Sequence, residues 1–331
     1  MHTLQTNQMS NGQAVQVPVP ASSPKTMLFV GVSTSQSSAH QHFPGWITAL
    51  GAPGTARLEG VDLPIGASSA QYREVVGRLR SEPDLAGALI TSHKIAIHQA
   101  AADLLDSTDD LASACGEVGC ISRATGRLVG HALDPVTSMA AFDHLTPTAH
   151  WQAFPKGQAV CLGAGGAGVA IGVGLARRIG TGHGPAAIVF VDRDLVRVDH
   201  ALTTVARFGA AEGWARGVVT GGNVAATDAV VSGLPPGSVV VNATGMGKDI
   251  PGSPLSDSVR FPDGGIAWDL NYRGDRPFLR QAAGQVSTRG LRVADGWDYF
   301  TISWALHVAR VFGMPEDPET LGRAVQATIR P

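Results

Sequence analysis

The sequence predicts an α/β protein built from two successive series of strands and helices, and three observations carry that expectation. From Met27 onward, apolar runs suited to strands alternate with amphipathic stretches suited to helices. Around residues 145–157, LTPTAHWQAFPKG interrupts the pattern with prolines and polar residues, and a second alternating series follows it. At the head of that series, CLGAGGAGVA places a cluster of glycines between an apolar strand and an apolar helix. The length of 331 residues, about twice that of an ordinary domain, also points to two domains.

Residues 1–25 are rich in Gln, Ser, Asn and Pro, offer little to bury and are expected to form a disordered tail. Residues 26–145 read as the first domain: MLFVGV, ARLEGVDL and AGALIT as strands, with helices around HFPGWITALG, YREVVGRLR and IAIHQAAADLL. This βαβ grammar implies a mainly parallel sheet with covering helices. Residues 146–290 read as the second domain, with strands QAVCLGAG, AAIVFVD, GSVVVNAT and GGIAWDL and GVAIGVGLARRIG as its first helix. In the remaining 291–331, GWDYFTISWALHVARVFG reads as one long helix with an apolar face.

Composition narrows the partners. Only 16% of residues are charged and the net charge is -2, which suits a small metabolite better than nucleic acid or an anionic membrane. Cys115, Cys120 and Cys161 match neither a metal knuckle nor a disulfide framework, and a reducing cytoplasm is the expected location. No apolar run has the roughly 18 to 20 residues that cross a bilayer, and no secretory leader is recognisable. The 11 histidines form no metal pattern, so no metal is expected, and the assembly is left open, a homodimer included.

The glycine run has the context that gives G-x-G-x-x-G its meaning. Gly163 permits a tight turn after the strand, Gly165 lets the backbone approach a diphosphate, and Gly168 lets helix and strand pack closely. With Gly166 they lead into a helix whose free N–H groups and positive dipole end suit phosphate, as in a Rossmann-type dinucleotide-binding domain. The bland alternative is a turn in a chain with 41 glycines. The next strand ends at Asp192, 24 residues past Gly168. A carboxylate there accepts hydrogen bonds from ribose hydroxyls and repels a 2′-phosphate, which favours NAD, whereas the adjacent Arg193 suits the 2′-phosphate of NADP. Asp194 adds a further charge at this tip.

Taken with these features, the chain resembles the shikimate/quinate dehydrogenase family over about residues 27–315. ALITSHK at 88–94 is similar to the family's N-V-T-x-P-x-K and places Lys94 on its catalytic lysine. GEVGC at 116–120 is similar to G-A-V-N-T, and GHALD at 130–134 to G-x-N-T-D, which places Asp134 on the catalytic aspartate. VVVNATGMG resembles the segment beside the nicotinamide and implies Asn242, Thr244 and Gly245 as coenzyme-binding residues. AWDLNYRGDRPFL resembles a D-x-x-Y segment with Asp269 and Tyr272. The start of the last helix resembles D-G-x-x-M-L-x-x-Q, which implies that this helix returns to the first domain and closes the substrate cleft.

The departures fall on the substrate side. Where the family pattern has asparagine, threonine or glutamine to hold a hydroxylated ring acid, this chain has Ala88, Ile90, Gly119, Cys120, Ala132, Leu133 and Ser303. Ser35 and Ser37 keep the family's Ser-x-Ser. Buried hydroxyls left unpaired cost about 1–3 kcal/mol each, so the resemblance implies the family's reaction on a cyclic, carboxylated alcohol or ketone other than shikimate. The nearest alternative is authentic shikimate or quinate dehydrogenase activity. An alternative of another class is a non-catalytic regulator that binds a dinucleotide and a ligand.

Moving a hydride to or from a secondary alcohol carbon requires a group that takes or gives the hydroxyl proton. A lysine does this when burial or nearby positive charge lowers its pKa, and a carboxylate partner positions its ammonium while pulling the other way. Lys94 and Asp134 supply such a pair, against readings as an exposed helix-start lysine and an ordinary Asp-Pro turn. His93 is a rival proton donor. Tyr272 offers a hydrogen bond to substrate or is a packing tyrosine. Ser303 is a small residue making room for ligand, and Trp297, Tyr299, Phe300 and Trp304 read as a packed helix face.

Overall fold

A computed structural model of the chain describes residues 25–330 other than 54, 125 and 249. The expectation for the N-terminal tail therefore falls almost wholly outside the described residues. Two six-stranded sheets organise the rest.

The first sheet contains β1 (Thr26–Gly31), β2 (Arg57–Asp62), β3 (Leu85–Ile90), β4 (Ser107–Thr108), β5 (Cys120–Ala124) and β6 (Arg127–His131), in the order β2-β1-β3-β5-β6-β4. Its helices are α1 (Ala39–Leu50), α2 (Ser69–Ser81), α3 (Lys94–Ala101), α4 (Asp110–Cys115) and α5 (Asp134–Leu145). β1 shows why the sheet has helices on both faces. Met27 and Phe29 join the core that includes α1, Leu28 and Val30 the core that includes α2 and α3, and every residue from Met27 to Gly31 is buried. The expected mainly parallel arrangement needs one correction here: β5 runs antiparallel to both β3 and β6. Only two residues separate β5 from β6, with Gly126 at φ 82°, and so short a link makes a hairpin, since a parallel crossover needs a dozen residues or more.

In the second sheet β7 (Ala159–Leu162), β8 (Ile188–Asp192), β9 (Ala215–Val219), β10 (Val239–Asn242), β11 (Ile266–Asp269) and β12 (Arg292–Ala294) are all parallel, in the order β12-β11-β10-β7-β8-β9. This is the doubly wound order, and its direction reverses between β7 and β10, which leaves a crevice beyond their carboxyl ends. The proline-interrupted seam contains a short helix, α6 (Thr148–Ala153). α7 (Gly166–Ala176) follows β7, α8 (Leu195–Ala206) follows β8, and α9 (Val224–Ser232) precedes β10. The short α10 (Pro277–Ala283) and α11 (Val286–Arg289) lead to β12.

Two helices tie the sheets together. α5 packs on α7 at Gly174, where a Cβ would lie 2.4 Å from Met139 Cγ and 2.8 Å from the Pro135 carbonyl. The long helix α12 (Trp297–Phe312) lies against β3, β5, α1 and α5, with α13 (Pro318–Gln326) beside it. Trp304 of α12 is buried, stacks on Trp46 at 5.2 Å with 9° between planes, and meets the edge of Phe29 at 4.9 Å. No helix among the described residues is long and apolar enough to cross a membrane.

Candidate active site

Strand direction brings the acid/base candidates together. β3 and β6 both end, and β5 begins, at one edge of the first sheet, because Leu89 pairs with Cys120 and Cys120 with His131. Lys94 opens α3 just past β3, Asp134 opens α5 just past β6, and Glu117 lies just before β5. Lys94 Nζ donates a hydrogen bond to Asp134 Oδ2 and forms an ion pair with it. Gly119 lies against the lysine stem, where a Cβ would make ordinary contact with Lys94 Cδ and Cε at 3.5 Å. A cleft of about 420 Å³ opens over this pair, bounded across the gap by Gly166, Ala167 and Lys248 and on one side by Tyr299, Ser303 and His307 of α12.

The electrostatics favour a protonated resting lysine. Burial lowers the Lys94 pKa, but Asp134 and Glu117 together outweigh it and the net direction is upward. Burial raises that of Asp134, and Lys94 and His307 outweigh it, so Asp134 stays ionised. Tyr299 lies beside Asp134, and burial next to that carboxylate keeps the phenol protonated. A lysine lowered toward neutrality is therefore not what the structure holds. The pair rests as ammonium and carboxylate.

His307 lies one helical turn beyond Ser303. Its Nδ1 donates to the Ser303 carbonyl at 2.7 Å, which fixes the tautomer, and burial pushes its pKa down to about 4. The unfolded chain then binds more protons than the folded one between about pH 4 and 6.5, so this group's contribution is present above that window and lost as pH falls through it. Glu117, raised by burial to about 7, acts with the opposite sign between about 4.5 and 7. A His307→Gln variant should therefore lose less thermal stability than the parent between pH 6.5 and 4. Parallel melting profiles over that range would remove this assignment.

His93 is excluded as a rival. Its Nδ1 pairs with Tyr72 Oη at 3.1 Å and its Nε2 with the Leu63 carbonyl at 3.0 Å, inside the core and away from the cleft.

The glycine loop faces this edge from the second sheet. Gly163 has φ 103°, and a Cβ on it would lie 2.8 Å from the Ala243 carbonyl. A Cβ on Gly168 would lie 2.1 Å from the Gly163 carbonyl, whereas one on Gly165 would meet nothing within 4 Å. Two glycines thus close the loop on itself and a third leaves open space at the start of α7, a cradle that fits a dinucleotide's diphosphate. Asp192 is buried and accepts from Ala164 N at 2.8 Å and Asp194 N at 3.1 Å, fixing a carboxylate at the tip of β8, while Arg193 and Asp194 are exposed. Asn242 is wholly buried. Its amide donates to Met246 O and Asp269 Oδ1, and its oxygen accepts from Thr244 N and Oγ1. Asn242 therefore shapes the loop that presents Thr244 and Gly245 and has little left to offer a ligand.

No protein-family model matches the chain. The shikimate dehydrogenase (NADP(+)) of Sphingopyxis alaskensis is 30% identical over 295 residues, covering 86% of this chain and 90% of that one. The chain belongs to the shikimate dehydrogenase family. As a member it is an NAD(P)-dependent dehydrogenase acting on a CH–OH group. The Thermus thermophilus shikimate 5-dehydrogenase in complex with shikimate superposes with a TM-score of 0.64 at 26% identity, covering 91% of this chain and 98% of that one. The quinate dehydrogenase of Corynebacterium glutamicum in complex with NAD shares the fold, with a TM-score of 0.67 at 21% identity and coverage of 92% and 98%.

Against the family pattern, the departing positions divide. Ile90 and Ser303 line the cleft, whereas Ala88, Cys120, Ala132 and Leu133 are buried in the hydrophobic core. Ser35 and Ser37 are not brought to the cleft: Ser35 is exposed, and Ser37 Oγ accepts from Ala39 N at the start of α1. That loop is anchored outward by Thr34, whose N and Oγ1 both donate to Asp62. Ser38 is the serine that faces inward, and its Oγ lies 3.3 Å from Tyr272 Oη. Tyr272 lines the cleft and stacks on Phe300 at 4.2 Å. The aromatic face of α12 packs as expected, yet Tyr299, Phe300 and Trp304 also wall the cleft.

Sequence reasoning missed Glu117, His307 and Ser38. Glu117 was visible as an acid standing at the alanine of G-A-V-N-T. His307 was visible through spacing, since residues 299, 303 and 307 repeat every four and share one face of α12.

Proposed function

We propose that the protein moves a hydride between a nicotinamide and a secondary alcohol or ketone on a cyclic, carboxylated small molecule, with Lys94 and Asp134 as its acid/base pair. The observation that carries this reading is the Lys94–Asp134 ion pair at a sheet edge facing the glycine loop across the cleft. We take residues 26–145 as the substrate-binding domain, 146–290 as the coenzyme domain and 291–331 as the segment closing onto the first.

When bound, the nicotinamide supplies the hydride or accepts it. Lys94, resting as ammonium, gives its proton to the oxygen of a ketone as it is reduced; in the oxidative direction it first releases that proton to solvent and then takes the alcohol's. Asp134 holds the ammonium in place, with Tyr299 beside it. Ile90, Phe300 and Trp304 exclude water, and Ser303 leaves space for the ring. Tyr272 and Ser38 provide hydroxyls for the substrate's polar groups in place of Ser35 and Ser37.

A screen of cyclic hydroxy acids, amino-substituted ring acids and related ketones, read by nicotinamide absorbance, tests the reading. Activity confined to shikimate or quinate would replace the altered-substrate reading with that of an authentic shikimate or quinate dehydrogenase. Dinucleotide binding without turnover of any such compound would favour a regulator. NAD is the proposed coenzyme and NADP the alternative, because the buried Asp192 carboxylate repels a 2′-phosphate. The expected result is a higher kcat/KM with NAD at equal concentration, and a clear preference for NADP would show that Arg193 dominates.

A further inference from the structure

Glu117 has no assigned part in this chemistry, and its setting points to one. It is 4% exposed and lines the cleft, and its carboxylate has no hydrogen-bond or ion-pair partner among the described residues. With no hydrogen-bond partner among those residues and the cleft beside it, this carboxyl group is placed to meet a ligand group that enters there. Its position narrows what that group is. Glu117 Oε2 lies 3.4 Å from where a Cβ on Gly166 would stand, over the first turn of α7, and its charge is felt by Lys94 and Asp134.

Glu117 thus stands between the loop that cradles a diphosphate and the pair that handles the substrate proton. A dinucleotide running from that loop toward Lys94 places one unit in the interval, the ribose that carries the nicotinamide. Its two neighbouring hydroxyls are donors, and the Glu117 carboxyl group offers them acceptor oxygen. A phosphate oxygen, itself an acceptor, would be repelled at the same place.

We propose that Glu117 accepts hydrogen bonds from the hydroxyls of the nicotinamide-side ribose, so that the first sheet anchors a coenzyme otherwise held by the second. The proposal rests on reading the glycine loop as the dinucleotide site. It makes coenzyme binding a bridge between the two sheets and sets the nicotinamide at a fixed distance from Lys94.

The test compares dissociation constants of the full-length protein for reduced NAD, reduced NADP and ADP, measured by calorimetry on the parent, Glu117→Gln and Glu117→Ala. ADP carries the adenosine and the diphosphate but lacks the second ribose. The expected result is that Glu117→Ala weakens the better reduced coenzyme on the order of 10-fold, as loss of a hydrogen bond to a charged group does, and leaves ADP unchanged. Glu117→Gln should fall between, since an amide keeps one acceptor oxygen. Unchanged or tighter coenzyme binding in Glu117→Ala would overturn the proposal, the latter by showing that Glu117 competes with the diphosphate. Parallel weakening of ADP would overturn it too, by showing an effect on the fold. If the parent binds neither ADP nor either coenzyme, it is the dinucleotide reading that fails.

Discussion

Replacing Lys94 with alanine should lower kcat on the order of 10²- to 10⁴-fold, the range for loss of a positioned general acid or base, while coenzyme affinity changes by no more than about twofold. The separation follows from where the residue sits. Lys94 belongs to the edge of the first sheet, and the glycine loop to the second. Its ammonium is ion-paired with Asp134 and feels the charge of Glu117 nearby, so alanine also leaves Asp134 without its ion-pair partner. Asp134 would then ionise less readily, and a proton taken up there cannot reach the substrate with the same geometry. Turnover is the quantity to measure, with coenzyme titration alongside it. Normal turnover in the variant would remove Lys94 from the mechanism, and a matching loss of coenzyme binding would make its role structural.

The largest effect on stability should come from Trp304→Ala, at about 3–5 kcal/mol, because a buried indole leaves a cavity that its surroundings fill only in part. Trp304 is stacked on Trp46, meets Phe29 edge-on and joins the core shared by β1, α1 and α12. Trp46 is in turn tied to the last turn of the chain, its indole Nε1 donating to Thr328 Oγ1 at 2.7 Å. The variant should also enlarge the cleft, since Trp304 lines it. Denaturant unfolding measures the first effect and acceptance of bulkier ring substrates the second. A loss below about 1 kcal/mol would mean that the cavity collapses, and that α12 is held by its other contacts.

Legibility in the sequence followed burial and its chemistry. β7, β8, β10 and β11 are short runs buried along their whole length, and each was readable as an apolar segment bounded by glycine or a polar turn. The β5–β6 hairpin was not, because CISRA and RLVGH carry Ser, Arg and His. The fold satisfies those groups internally: Ser122 Oγ pairs with His131 Nε2 at 2.9 Å, and Arg123 donates to the Leu85 carbonyl at 3.1 Å. A strand whose polar groups partner one another looks like a loop to any reading of hydrophobic pattern. β9 escaped for the opposite reason, since ARGVV lies at the sheet edge and is largely exposed.

The site divides in the same way. Lys94 and Asp134 stand where strand ends and motif spacing place them, and the glycine loop reads directly. Asn242 belonged to a legible segment, and three of its four internal hydrogen bonds are local, to Thr244 and Met246, but the fourth is to Asp269, 27 residues on, which only the fold brings near it. Ser35 and Ser37 fail for a similar reason. Their loop is turned outward by an anchor on Asp62, 28 residues beyond Thr34, and no local pattern announces that.

α12 contributes Tyr299, Ser303, Trp304 and His307 to the cleft, and all four lie in the stretch Trp297–Phe312 near the end of the chain. Both sheets, the lysine, the aspartate and the glycine loop precede it. During synthesis, then, a nascent chain reaches a stage at which it holds every described strand and the glycine loop yet lacks a wall of its cleft. The cleft is completed only when that one helix has emerged and docked, so a chain that already looks folded still waits on α12 for its full site.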